Sequence, residues 1–417
     1  MRKKLEIILW IAVWVFGGSV FAENSEIAKA GRYWDSRATQ GMTEKAIGVM
    51  ESLLKTEPNQ YEALWKLGCY YQFLGDMSFG KLKLEAYKKG LSYTEKAIKI
   101  KNQGVNGHLW RGLLIGSIIL EGSNQSNFKL AHQMAGEFQF VLRLEPQNAE
   151  AHLTLARYYD GAFRTGNDKK KALQEISLAL KYDPDIQNGW MVLGGIAMKN
   201  NDLATAKVAF AKFLDRTDPY KNYGTLIREE NKVGEDYESL WHLGYLYEFM
   251  GQNSPNKKTK IALLEKGLAY LEHAERVNPK GVAGHLYRAI LLGNIGLEKG
   301  ILQSLRMVEP MVEELQTVVK LEPGNAMAHA MLGQIYWRAP GKPLSIGNKK
   351  KALDETALAV QYDPGSSAYW YNYGKIAVEN GNYDLARMAF TKVLSFFSAT
   401  ASFKIQAQQE LDKLPKG

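Results

Sequence analysis

The stretch YEALWKLGCYYQFLG at Tyr61–Gly75 returns as YESLWHLGYLYEFMG at Tyr237–Gly251. Leu64, Leu67 and Tyr71 in the first copy, and Leu240, Leu243 and Tyr247 in the second, recur three and four residues apart. That is the spacing of one apolar helix face. Three further stretches return in the same order. GVNGHLWRGLLIG (Gly104–Gly116) matches GVAGHLYRAILLG (Gly281–Gly293). VLRLEPQNAEAH (Val141–His152) matches VVKLEPGNAMAH (Val318–His329). GNDKKKALQEISLALKYDP (Gly166–Pro184) matches GNKKKALDETALAVQYDP (Gly347–Pro364). Trp190 and Phe210 return as Trp370 and Phe390. The offset is 176–177 residues early and 180 later, so the halves are a duplication with few and small indels.

Each half repeats within itself. Leu64, Leu67, Gly68 and Tyr71 define a first-helix pattern that recurs at Leu240, Leu243, Gly244 and Tyr247. It appears again at Trp190, Leu193 and Gly194, and at His329, Leu332, Gly333 and Tyr336. A second-helix pattern runs through Ala172, Ile176, Ala179 and Pro184, and through Ala352, Thr356, Ala359 and Pro364. These residues resemble the tetratricopeptide family. The resemblance implies an all-α fold, a tetratricopeptide-type solenoid of helical hairpins in a right-handed superhelix, here with two duplicated halves. Gly and Ala at the pattern's small positions let paired helices approach, and Pro stops the second helix because it cannot continue the hydrogen-bond ladder. The long-helix segments are also similar, more weakly, to the tetratricopeptide subunit of tripartite ATP-independent periplasmic transporters and to the regulator-of-microtubule-dynamics proteins.

Nine repeats are expected, near 24–58, 59–103, 105–147, 148–185, 186–219, 236–280, 281–324, 325–365 and 366–398. They give an N-terminal array over 23–219, a charged repeat-free junction over 220–235 and a C-terminal array over 236–398. Residues 399–417 read as a capping helix and tail. Several repeats carry ten or eleven extra residues between their patterns, which must lengthen helices or form edge loops.

The first 22 residues read as a signal peptide: MRKK, then an apolar run from Leu5 to Phe16, then Val20-Phe21-Ala22 with small residues placed for cleavage after Ala22. The expected address is periplasmic or secreted. No later stretch has the apolar length of a membrane span. The chain of 417 residues has a formal charge of +9, and losing Arg2, Lys3, Lys4 and Glu6 leaves +7. That modest excess favours anionic partners without pointing to nucleic acid. Cys69 is the sole cysteine, which rules out an intrachain disulfide and a zinc site of clustered cysteines. It reads as a small buried apolar residue.

The tetratricopeptide resemblance implies that partners bind a concave groove lined by first helices. Its pattern places Glu62, Trp65, Cys69, Gln72 and Phe73 there, with Glu238, Trp241, Tyr245, Glu248 and Phe249 in the second half. Glu150, Leu153 and Arg157 belong to the same set, as do Met327, Gln334, Trp337 and Arg338. Aromatic side chains in a groove suit an extended peptide or an apolar ligand. Lys169, Lys170 and Lys171, and their counterparts Lys349, Lys350 and Lys351, crowd two helix starts, where an anion would offset the dipole. His108 with His285, and His152 with His329, read as fillers between helices rather than as metal ligands or acid–base groups. GxSxG, HExxH and phosphate-loop spacings are absent from the sequence. The expected protein is therefore a non-catalytic exported scaffold without a cofactor, binding a protein or peptide partner of the cell envelope. The alternative is a solute-binding or coupling component of a periplasmic transport system, taking a small apolar or anionic ligand.

Overall fold

The computed structural model describes residues 25–39, 41–78, 80–121, 127–162, 168–217, 223–396 and 401–415. The expected signal peptide, residues 1–22, lies outside them. The described residues form helices and connections, with one isolated bridge between Gly341 and Gly347 and no strand. None of these helices is long and apolar enough to cross a membrane. They divide at Ala151/His152 into two compact units.

The first unit holds α1 (Ser25–Asp35), α2 (Met42–Thr56), α3 (Tyr61–Met77), α4 (Gly80–Ile100), α5 (Val105–Glu121), α6 (Asn127–Leu144) and the start of α7 (Ala149–Tyr159). The second continues α7 and adds α8 (Lys169–Tyr182), α9 (Gly189–Lys199), α10 (Leu203–Thr217), α11 (Tyr223–Arg228), α12 (Tyr237–Gln252), α13 (Lys257–Val277) and α14 (Val282–Lys299). It ends with α15 (Ile301–Leu321), α16 (Ala326–Arg338), α17 (Lys349–Tyr362), α18 (Ser367–Glu379), α19 (Tyr383–Ser395) and α20 (Ala401–Lys413). Each of the nine expected repeats contains one helix pair. The extra residues lengthen helices: α4, α13 and α15 reach 21 residues, against 11 for α7 and α9.

Close packing within each pair explains the repeat pattern. A Cβ on Gly68 would come within 2.3 Å of Thr94, and one on Gly244 within 2.5 Å of Leu271. Beside those glycines on the same helices, Leu67 and Leu243 are both fully buried against the preceding helices. Burying such a side chain is worth roughly 1.5–3 kcal/mol. Asp168, Asp236, Asn256, Asn325, Asn348, Ser366 and Asn382 cap their helices by accepting a backbone N–H.

Long first helices are also joined to their successors. The Tyr61 hydroxyl accepts from the Gly107 amide at 3.1 Å, and the Tyr237 hydroxyl accepts from the Gly284 amide at 3.0 Å. Gly104 and Gly281 make room for these rings, since a Cβ on either would lie 2.2 Å from its tyrosine.

The stretch read as a junction over 220–235 holds more structure than its charged sequence suggests. Tyr223 and Leu226 of α11 are buried in the core shared by α9, α10 and α12. A short 3-10 turn follows and places Glu230 against four partners. Its carboxylate accepts from the hydroxyls of Tyr247 and Tyr270, each at 2.7 Å, and pairs with Lys266 at 3.0 Å and with Lys207. The first unit builds the same hub from α2. Glu51 accepts from Tyr71 at 2.7 Å and Tyr93 at 2.9 Å and pairs with Lys89 at 2.8 Å. Burial works against the Glu51 charge, but those hydrogen bonds hold its carboxyl below the ordinary range. At the other end, Ala407 and Leu414 of the closing helix region are buried against α19.

Candidate partner-binding face

In the second unit, Trp241, Tyr245 and Phe249 stand one turn apart on α12 and are half-buried. Trp241 stacks on Tyr287 of α14, with centroids 5.6 Å apart and planes 9° apart, and Tyr245 meets the same ring at 4.9 Å. Phe249 packs the other way, on Phe210 and Phe213 of α10 at 5.3 and 5.7 Å. The Trp241 indole donates to the exposed Glu238 carboxylate at 2.8 Å. Asn294 donates to Glu248 at 3.0 Å, and burial pushes the Glu248 carboxyl up. Glu238, Trp241, Tyr245 and Phe249 therefore form one aromatic ladder that also holds neighbouring first helices together. Tyr287 is the member that sequence reasoning missed, although its counterpart Trp110 in the duplicate is aromatic as well.

The face continues onto α16. Met331, Gln334, Ile335 and Arg338 occupy one stripe of that helix and line a cavity of about 370 Å³. Leu305, Val308 and Met311 of α15 supply the opposite wall, and Leu297 of α14 and Pro340 close its ends. Arg338 lies over its neighbour Trp337, with 5.4 Å to the ring centroid. Arg157, on α7 at the start of this unit, is half-buried.

In the first unit, Phe73 meets Trp34 of α1 at 5.3 Å, and Arg37 caps Trp34 at 4.8 Å. Glu62 pairs with Lys66 at 2.8 Å, and Lys66 lies 5.7 Å from the Trp65 ring. Burial pushes the Cys69 thiol up to about 12, so it packs as a small apolar group.

Both lysine triads are exposed. Lys171 leans on Tyr159 and Lys351 on Tyr336, each at 5.3 Å, and the dipole at both helix starts is already met by the caps Asp168 and Asn348.

The histidines are clamps rather than fillers. In the repeats at 105–147, 148–185, 281–324 and 325–365, a first-helix histidine bonds a second-helix glutamate through Nδ1. His108 meets Glu137 at 2.5 Å, His152 meets Glu175 at 2.6 Å, His285 meets Glu314 at 2.6 Å and His329 meets Glu355 at 2.7 Å. One clamp differs. Glu275 joins His285 and Glu314, the three ligand atoms lying within 4.8 Å of one another. Arg288 contacts both carboxylates, so the cluster carries its own counter-charge. Burial and the Glu314 charge push Glu275 up to about 7. The hydrogen bond to Glu314 raises His285, whose Nε2 faces the Pro279 carbonyl at 3.0 Å. At the position matching Glu275 the first unit has Ile98.

A family model described as regulator of microtubule dynamics protein 1-3 matches residues 31–181 and 203–338, well over half of the chain. The chain belongs to that family. This regulator-of-microtubule-dynamics chain also matches a tetratricopeptide repeat model over residues 347–399. It is 26% identical to regulator of microtubule dynamics protein 1 of Bos taurus over 201 residues, 45% of this chain and 63% of that one. Against protein 3 of Rattus norvegicus it is 24% identical over 132 residues, 32% of this chain and 28% of that one. The chain thus spans less than two thirds of these curated relatives. Among solved structures, a human IFIT1 dimer with PPP-AAAA is 15% identical, with 90% of this chain and 78% of that one covered and a TM-score of 0.35. TTC0263 of Thermus thermophilus, a tetratricopeptide protein, is 20% identical, with 55% and 99% covered and a TM-score of 0.29. Overlaps of that size add nothing on how this family member works.

Proposed function

We propose that the chain is a non-catalytic scaffold that binds a polypeptide partner on the first-helix face of its second unit. The observation that carries this reading is the half-exposed ladder of Trp241, Tyr245 and Tyr287. Large, rigid aromatic side chains anchor interfaces at little conformational cost. Tetratricopeptide helix pairs present such side chains on rigid elements, and the charged neighbours Glu238 and Glu248 supply register.

The test is capture of partners from cell extract by the immobilised full chain, compared with a Trp241→Ala/Tyr287→Ala double variant of unchanged helical circular dichroism. Retention of a specific partner is expected to fall about tenfold or more. Equal retention by both proteins would remove this reading. We further propose that residues 1–22 are an export leader. Terminal sequencing of the protein from its source should begin at Glu23, and an intact Met1 would overturn that.

A further inference from the structure

We propose that the open groove between α15 and α16 docks an amphipathic helical segment of a partner protein, apolar on one face and acidic on its flank. This inference rests on the polypeptide-binding reading above and names the chemistry of what is bound.

The groove begins with an uneven helix. The buried residues of α15 are Val312, Leu315 and Val318, all in its second half. Its first half carries Leu302, Leu305, Val308 and Met311, three apart on one stripe, and none is buried. The duplicate shows the inner half of this stripe covered. In α6, Ala131 and Met134 hold the places of Val308 and Met311 and both are fully buried, while Phe128, in the place of Leu305, is exposed.

The surroundings are as uncovered as the wall. Leu297, Ile301 and Leu302 flank the Gly300 turn at 75%, 80% and 75% exposure, and Leu344, in the loop after Pro340, is at 79%. Large aliphatics so exposed beside an apolar cavity mark an interaction surface. The α16 stripe from Met331 to Arg338 covers eight residues, about 10 Å of helix axis between its ends, which is close to two turns. A docked helix would set apolar residues one turn apart into the cavity.

Charge selects among occupants. Arg338 lines the groove, and Lys342 and Lys350 are exposed on the loop and helix that follow. None of the three has an ion pair among the described residues. The carboxylates of Glu298 and Glu379 are taken up by Lys260 and Lys349. Arg306 and Glu309 on α15 offset each other in charge. Arg338, the one charged side chain among the lining residues, makes the α16 rim of the groove cationic, which fits an acidic partner. A two-fold contact with a second copy would bring this cationic rim against itself.

The experiment uses the full chain and two synthetic helical peptides. Each carries two leucines one turn apart, one flanked by glutamates and the other by lysines. Fluorescence anisotropy should show saturable binding of the glutamate peptide, at least about tenfold tighter than the lysine peptide. Leu302→Asp, at an exposed site, should abolish it, and Arg338→Glu should reverse the preference. Equal affinity for the two peptides, or no saturation, overturns the inference. So does binding of phosphatidylcholine–phosphatidylserine vesicles that the peptide cannot displace, which would make the patch a lipid-facing surface. A dimer in sedimentation that Leu302→Asp dissolves would make it a self-contact. If the peptides fail while partner capture still depends on Trp241, only the groove is wrong. If the peptides behave as expected while capture ignores Trp241, only the aromatic-face reading is wrong.

Discussion

Two copies of one four-helix segment, α3–α6 and α12–α15, keep the same internal bonds and differ in what surrounds them. Both carry the glycines that admit the partner helix, the tyrosine bonded to the next helix start, the tyrosines and lysine that meet a hub glutamate from outside the segment, and the histidine clamp. Two of their differences bear on what surrounds them. Glu275 replaces Ile98 beside the clamp, and Val308 and Met311 of α15 are open where Ala131 and Met134 of α6 are covered. The lesson is that duplication carries along the contacts within a hairpin, whereas a contact from outside survives only where the neighbour supplies it again, as the hub glutamates do.

The largest expected effect tests the covering itself. Met134→Ala removes a fully buried side chain and should cost about 2–4 kcal/mol, whereas Met311→Ala at the matching open site should cost under about 1 kcal/mol. Hydrogen exchange of α6 and α15 reads each locally, and equal losses would erase the contrast. The hubs should behave alike. Glu51→Ala strands two tyrosine hydroxyls and a lysine, and Glu230→Ala two hydroxyls and two lysines, at about 2–3 kcal/mol apiece by urea unfolding. A much smaller loss at Glu230 would mean that the second hub is not the equal of the first.

The third prediction concerns acid. Glu275 and His285 are both raised in the folded chain, so the folded second unit holds protons that the unfolded chain gives up. Their stabilising contribution is complete below their unfolded values and is lost as pH rises through about 7. Burial works against the Glu314 charge, but its hydrogen bond from His285 holds it low, so it acts in the opposite sense at more acid pH. Glu275→Ile should recover about 1–2 kcal/mol at pH near 8 and flatten that slope. An unchanged slope in the variant would clear Glu275 of the role. Least of all, Lys350→Ala should shift stability by no more than about 0.5 kcal/mol, as a solvated side chain does.

Helix pairing was legible because it is local. Gly68 and Tyr71, or Ala179 and Pro184, state it within a few residues of each other. The clamps were half legible: Glu137 and Glu175 recur as Glu314 and Glu355 alongside their histidines, a joint recurrence that filler residues have no reason to show. The hub at Glu230 was hidden. It stands 179 residues from Glu51, outside the local register, in a stretch without repeat pattern. The open face of α15 was also hidden, since its residues are as apolar as those of α6, and only the folded neighbours decide whether such a stripe is covered.

The bonds from Tyr61 to Gly107 and from Tyr237 to Gly284 turn one phenol ring into a ruler. The length of that ring fixes how far apart successive long hairpins stand, and a rigid ruler leaves little play between them. Any ligand that these hairpins hold must therefore fit a gauge set beforehand, and selection among ligands falls on their dimensions as well as on their chemistry.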